Sequence, residues 1–208
     1  MGYCTWDNAS ELMARYHEEE WGVPLHDDRG QFEFLTLEVM QCGISWAIVM
    51  KKREIIRGCF DGFDYERIAR YSEADIDRIM AVPGMIKNRR KTEAVITNAR
   101  AFIRVREEFG SFSDYIWHFT GGCSILYEMH EDGWIPASNG LSEDVSADLK
   151  RRGFKFTGPV VMYSHMQACG LINDHDKDCA CYGRLIREYP TVRLERSREK
   201  DVRYYGDK

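Results

Sequence analysis

Apolar residues recur along most of this chain at the three-and-four spacing of helices, and one stretch is almost continuously apolar. From Asp28 to Cys42 the run Phe32, Phe34, Leu35, Leu37, Val39, Met40 predicts a helix, which Gly43 stops. Ser45 then reads as the N-cap of a second helix running through Lys52 and Ile56 to about Phe60. Upstream, Ser10 is an N-cap for Glu11 to Glu20, which sets Tyr16 and His17 near that helix's end. Downstream, Asp64, and Ser72 paired with Asp75 as a capping box, open further short helices. After a break at Val82-Pro83-Gly84-Met85-Ile86, residues Lys87 to Phe109 place Val95, Ile96, Ala99, Phe102 and Ile103 on one helical face. Ser113 to Phe119 and Ser142 to Arg152 read as helices, and Gly158-Pro159 opens another through Met166 to Cys169. Thr120 to Asn139 reads as an irregular surface excursion. Strand-like alternation is scarce, so the expected fold class is all-α. Residues 1–182 form the expected main domain, in one or two helical lobes, and 183–208 a charged C-terminal extension.

The apolar run contains an acid. Glu38 sits between Leu37 and Val39, and burying an ionised carboxylate without a partner costs several kcal/mol or more. The sequence leaves two readings open. Glu38 pairs with a buried Arg, caps a neighbouring helix or lies on a wet face; or it is offered to a ligand carrying N–H donors or positive charge. Gly43 and Ser45 would put Ile44 on an exposed corner and Trp46 in the next first turn, so an acid, an apolar wedge and an indole fall close together. The helix, Gly-containing turn and helix around Gly84 is either a plain hairpin or a phosphate site, its backbone N–H groups aided by Lys87, Arg89, Arg90 and Lys91.

Composition narrows the classes. At 208 residues, 44% hydrophobic and 30% charged, the chain has ordinary globular composition. It has no apolar signal core and no uncharged span of about 18 residues, so a cytoplasmic protein without a membrane anchor is expected. The net charge of −5 argues against general polyanion binding, although Lys51-Lys52-Arg53, Lys87–Lys91 and Lys150-Arg151-Arg152 are local basic clusters. His17-Glu18-Glu19 lacks the Pro-Cys-x-x-Cys partner of zinc deaminases, and Trp21 stands where a His-Glu-x-x-His protease needs its second His.

Seven cysteines with no export signal point to thiols or metal ligands rather than disulfides. Cys4, His17, His175 and Cys179 would supply two thiolates and two imidazoles, a closed tetrahedral zinc set that ties the chain's ends together. The spacing also admits Cys181 for Cys179, His165 for His175, or buried thiols with a core His and no metal at all.

Together these residues make the sequence resemble the 3-methyladenine DNA glycosylase I family, within the helix-hairpin-helix glycosylases. The resemblance spans about Tyr3 to Tyr182. It rests on Cys4-x-Trp6, Tyr16-His17-x-x-Glu20-Trp21-Gly22-Val23-Pro24, Leu37-Glu38, Gly43-Ile44-Ser45-Trp46, Lys51-Lys52-Arg53-Glu54, Arg152-Gly153-Phe154-Lys155-Phe156, Met166-Gln167-Ala168-Cys169-Gly170 and Asn173-Asp174-His175. It implies a helical glycosylase fold and a monomeric enzyme that flips 3-methyladenine from alkylated double-stranded DNA. The base is hydrolysed free without strand cleavage. Glu38 would be the catalytic contact to the base, with Tyr16, Trp21, Trp46 and Ser164 completing its pocket. Gly43 and Ile44 would enter the duplex, the Gly84–Lys91 turn would hold its backbone, and Cys4, His17, His175 and Cys179 would hold one structural Zn²⁺. Two positions depart from the family pattern: Met13 replaces an aromatic pocket residue, and the turn reads Pro-Gly-Met-Ile instead of carrying two glycines. Neither Asp114 nor Asp132 sits in the motif of an acid that activates water. The resemblance also leaves two rivals, a zinc-stabilised nucleic-acid-binding module without excision and a small-molecule hydrolase using Glu38 as base.

Overall fold

Every position from Gln31 to Met40 is buried, so the apolar run is a helix enclosed on all sides. In the computed structural model, which describes residues 4, 6, 10–128, 130 and 135–194, it forms α2 (Asp28–Gln41). Asp27 caps it by accepting from the Gly30 N–H at 2.7 Å. Around it pack α3 (Trp46–Cys59), α6 (Arg89–Phe109), α7 (Phe112–His118) and α9 (Pro159–Ala168). The remaining helices are α1 (Glu11–Glu19), α4 (Tyr65–Ile68), α5 (Glu73–Ala81), α8 (Gly140–Arg151) and α10 (Ala180–Glu188). The expected starts agree with the caps observed at Ser10, Asp64 and the Ser72/Asp75 box. No described helix is long and apolar enough to cross a membrane.

The protein is mostly helical, but one expectation needs correction. Thr120–Asn139 is not simply a surface excursion: Ser124–Tyr127 is strand β1, buried at all four positions. It pairs in parallel with β2 (Thr191–Leu194), from Ser124 opposite Thr191 to Tyr127 opposite Leu194. Four residues are too few to show period-two alternation against helical background, and the partner lies far along the chain. Residue 183, where the charged extension is expected to begin, lies inside α10. Arg184 donates to the Glu18 carbonyl at 2.7 Å, so this charged segment packs onto α1. Residues 195–208, Tyr3 and Asp132 lie outside the described residues.

One close approach fixes the wall of the site. Gly170 has φ +76°, and a Cβ there would lie 2.4 Å from the Pro24 nitrogen. The end of α9 therefore abuts the 21–25 segment, where Gly22 donates to the Gln167 carbonyl at 3.0 Å and Leu25 to that of Cys169 at 3.1 Å.

Candidate active site

Glu38 lies on the last turns of α2 and opens into a cavity of about 320 Å³. Tyr16 from α1, Trp21 from the following turn, Trp46 from the start of α3 and Ser164 from α9 line the same cavity. All five expected pocket residues are thus brought together. The lining also includes Trp6, Met13, Gln41, Ala47 and Gln167. Two of these could have been read from helical spacing, since Gln41 follows Glu38 by three positions and Gln167 follows Ser164 by three. Met13 occupies the pocket position expected of it.

The carboxyl of Glu38 is only 3% exposed. Its Oε2 has no hydrogen-bond partner among the described residues, and no described cation pairs with it. The nearby guanidiniums are engaged elsewhere: Arg53 binds Glu20 and Glu33, each at 2.7 Å, and Arg57 binds Glu33 at 2.7 Å. The reading in which Glu38 joins a buried Arg therefore fails. Burial pushes its pKa up to about 8, so the empty cavity holds a neutral acid at pH 7. Burial, then the proximity of Glu38, pushes the Tyr16 phenol up as well. The buried Trp46 Nε1 also lacks a hydrogen-bond partner among the described residues, which leaves a second polar atom for a ligand.

The other walls are aromatic. Trp6 meets Trp21 edge to face at 5.2 Å, and Tyr16 lies 5.6 Å from Trp46. Trp21 in turn meets the His175 ring edge to face at 4.5 Å. Behind that wall, Cys4, His17, His175 and Cys179 each offer one ligand atom, all within 4.8 Å of one another. The His175 Nδ1 to His17 Nε2 distance is 3.2 Å, Cys4 Sγ to His175 Nδ1 is 3.6 Å and Cys179 Sγ to His17 Nε2 is 3.7 Å. Edges of about 3.3 to 3.8 Å are those of a tetrahedron built from ordinary metal–imidazole and metal–thiolate bonds. His175 donates Nε2–H to the Trp21 carbonyl at 3.0 Å, which leaves Nδ1 as its free lone pair. The donor set thus fits a metal ion. Of the alternatives, His165 lies apart and bonds Gln31 at 3.0 Å, while Cys181 sits beside Cys179 with its thiol toward the His17 carbonyl at 3.9 Å, outside the group of four.

A sequence model of the methyladenine glycosylase family matches residues 6–182. The chain is 41% identical to DNA-3-methyladenine glycosylase 1 of Escherichia coli (strain K12) over 182 residues, 88% of this chain and 97% of that one. The chain belongs to the methyladenine glycosylase family. Among solved structures, a Y16F variant of 3-methyladenine DNA glycosylase I bound to 3-methyladenine superposes with a TM-score of 0.81 at 34% identity. That match covers 86% of this chain and 97% of the other. A further 3-methyladenine DNA glycosylase I structure gives 0.80 at 44% identity, over 86% and 98%.

Beside the cavity mouth, this glycosylase carries the corner and turn singled out in its sequence. Gly43 has φ +81° with open space around it, as a backbone that must approach a ligand requires. Ile44 differs from expectation: it is half-buried against the core, and the exposed apolar side chain here is Ile48, 44% exposed. Between α5 and α6, Gly84 is exposed with φ +80°, and Lys87 and Arg90 face solvent. Among the described residues, the backbone N–H groups of Gly84, Ile86 and Lys87 have no hydrogen-bond partner. Two expected phosphate contacts need correction. Arg89 is ion-paired with Glu73, Asp77 and Glu93. Lys91 is 4% exposed and donates to the carbonyls of Met40 at 2.8 Å and Cys42 at 2.5 Å, because the end of α2 leaves acceptors that this side chain reaches.

Proposed function

We propose that this chain hydrolyses the N-glycosidic bond of 3-methyladenine in alkylated double-stranded DNA, acting as a monomer in the cytoplasm and leaving the strand uncut. The observation that carries the reading is Glu38, a buried carboxyl without a partner, set in a cavity walled by Tyr16, Trp21 and Trp46. The relatives bearing the name 3-methyladenine glycosylase support the substrate class.

The chemistry follows from charge. Methylation at N3 makes the purine in DNA cationic, so the C1′–N9 bond is already weakened. Indole and phenol faces attract a cation by about 0.5 to 2 kcal/mol each, and Glu38 becomes its counter-ion, releasing to solvent, as the base enters, the proton that burial had retained. Its carboxylate then accepts from the exocyclic amine. As C1′–N9 breaks, its electron pair goes to N9 and the base leaves neutral, with positive charge on the sugar. Water adds to C1′ and gives up a proton to solvent. Neutral adenine lacks both the charge and the weakened bond.

Access requires flipping the base out of the duplex. The Gly43–Ile44 corner, with the exposed Ile48 of α3 following it, enters the gap, while the Gly84, Ile86 and Lys87 N–H groups and the Lys87 and Arg90 charges hold the backbone. The α5–turn–α6 unit then serves as a helix-hairpin-helix. The residue 1–182 glycosylase domain carries all of these groups, and residues 183–208 are an extension whose first part is docked on it.

Cys4, His17, His175 and Cys179 would hold one Zn²⁺. When bound, the ion supplies a structural link and no open coordination position. The chain's own residues pass that link to the pocket, through the His175 bond to the Trp21 carbonyl and the ring contacts of Trp21 with Trp6. Metal analysis by mass spectrometry should find one zinc per chain. Stripping it with a chelator should lower thermal stability and base affinity together, and unchanged affinity would separate cluster from pocket.

Incubation with methylated duplex DNA, followed by mass detection of released bases, tests the reading. Free 3-methyladenine with intact strands is expected. DNA binding without release would leave a binding module, and neither would leave a small-molecule hydrolase.

A further inference from the structure

Lys91 was expected on phosphate and instead lies inside. Its ammonium is held by the two carbonyls, Met40 and Cys42, that end α2, immediately before the Gly43–Ile44 corner. Its own backbone N–H is the one that Asn88 accepts, at 3.2 Å, to cap α6. One residue therefore closes the last turn of the pocket helix with its side chain and the first turn after the Gly84 hairpin with its main chain. A second lysine runs the other way: Lys52 of α3 donates to the Gly84 carbonyl. The corner between α2 and α3 is thus braced against the hairpin from both of its flanking helices.

An apolar side chain at this position would leave the Met40 and Cys42 carbonyls without this donor. Burial lowers the Lys91 pKa, and among the described residues the side-chain nitrogen meets carbonyl oxygens and no carboxylate. Such bonds are directional and short, and they fix the height of a helix end relative to its neighbour in a way that methylene packing does not. We propose that Lys91 is a positioning residue, which sets the Gly43–Ile44 corner at a fixed offset from the hairpin so that strand-holding and base-flipping elements engage one duplex in register. The proposal rests on the glycosylase reading above. It assigns Lys91 a role in duplex opening and none in contacting phosphate or base.

Lys91→Met keeps the stem and removes the donors. Excision from a methylated duplex should fall by at least about tenfold, as misplacing a reacting element commonly does. Affinity for free 3-methyladenine, read from tryptophan fluorescence, and excision from a single strand should stay within about threefold, since neither needs the corner. The slope of log affinity against log salt for an abasic-analogue duplex should match wild type, whereas losing a phosphate contact would reduce it by about one. Duplex excision within threefold of wild type, a reduced slope, or equal loss in duplex excision, single-strand excision and free-base affinity would each overturn the proposal. Should Lys91→Met not fold, NMR of the wild-type lysine ammonium decides: protection from exchange with and without the abasic duplex is expected, and release on binding contradicts it. Wild-type protein that excises from no substrate would instead defeat the glycosylase reading, while the salt and exchange measurements still report on Lys91.

Discussion

Helix α2 buries two glutamates, and they are treated oppositely. Glu33, 8% exposed, is gripped by Arg53 and Arg57, each at 2.7 Å. Glu38, 3% exposed and further along the same helix, meets no cation among the described residues and faces a cavity. Burial is nearly equal, so burial does not mark function. The difference lies in what compensates it: Glu33 is answered from within the chain, and Glu38 is left for something that arrives. Lys91 makes the complementary point, since a basic residue beside a candidate DNA surface is wholly committed to the end of α2.

The largest separation between the two acids should be catalytic. Glu38→Gln is expected to lower excision of 3-methyladenine by about 10²–10³-fold, the scale of removing a preorganised electrostatic group. Single-turnover rates check it, and Glu33→Gln should leave excision per folded molecule within about threefold. For stability the order reverses. Glu33→Gln should cost about 1.5 to 3 kcal/mol in urea melts, the range for hydrogen bonds to charged groups, because Arg53 and Arg57 lose the negative charge of their shared acceptor. Equal destabilisation by the two substitutions would erase the contrast.

A smaller, pH-dependent effect sharpens it. Glu38 titrates near 4.5 when unfolded and near 8 when folded, so between those values the folded state holds the extra proton. Its contribution is therefore full below about pH 4.5 and is lost as pH rises through the window. Glutamine has no such proton, so Glu38→Gln should gain stability over wild type by up to about 1.4 kcal/mol per pH unit across this range. Melts at pH 5 and pH 7.5 would show it, and a constant difference would mean that Glu38 is not held neutral.

Much of this was legible in the residues, for reasons that also explain what was not. Helix starts were readable because caps are local: Ser10, Asp64 and the Ser72/Asp75 box need only their own neighbours. Glu38 stood out because an acid inside an apolar run must be answered somehow. The four Cys and His positions were one of several possible sets until folding brought the chain ends together. Gln41 and Gln167 were missed although their spacing from Glu38 and Ser164 placed them on the right faces. Strands β1 and β2 pair across a long separation that no local pattern reports. The inward turn of Lys91 was not readable either, since a first-turn lysine is equally placed to face phosphate or a neighbouring helix end.

The most direct test of the unanswered acid is a ¹³C NMR titration of the Glu38 carboxyl in the ligand-free protein, assigned by its absence in Glu38→Gln. A midpoint about 8 is predicted. A midpoint in the ordinary carboxylate range would show that the chain itself already compensates Glu38, and would contradict its standing as the group kept for a cationic base.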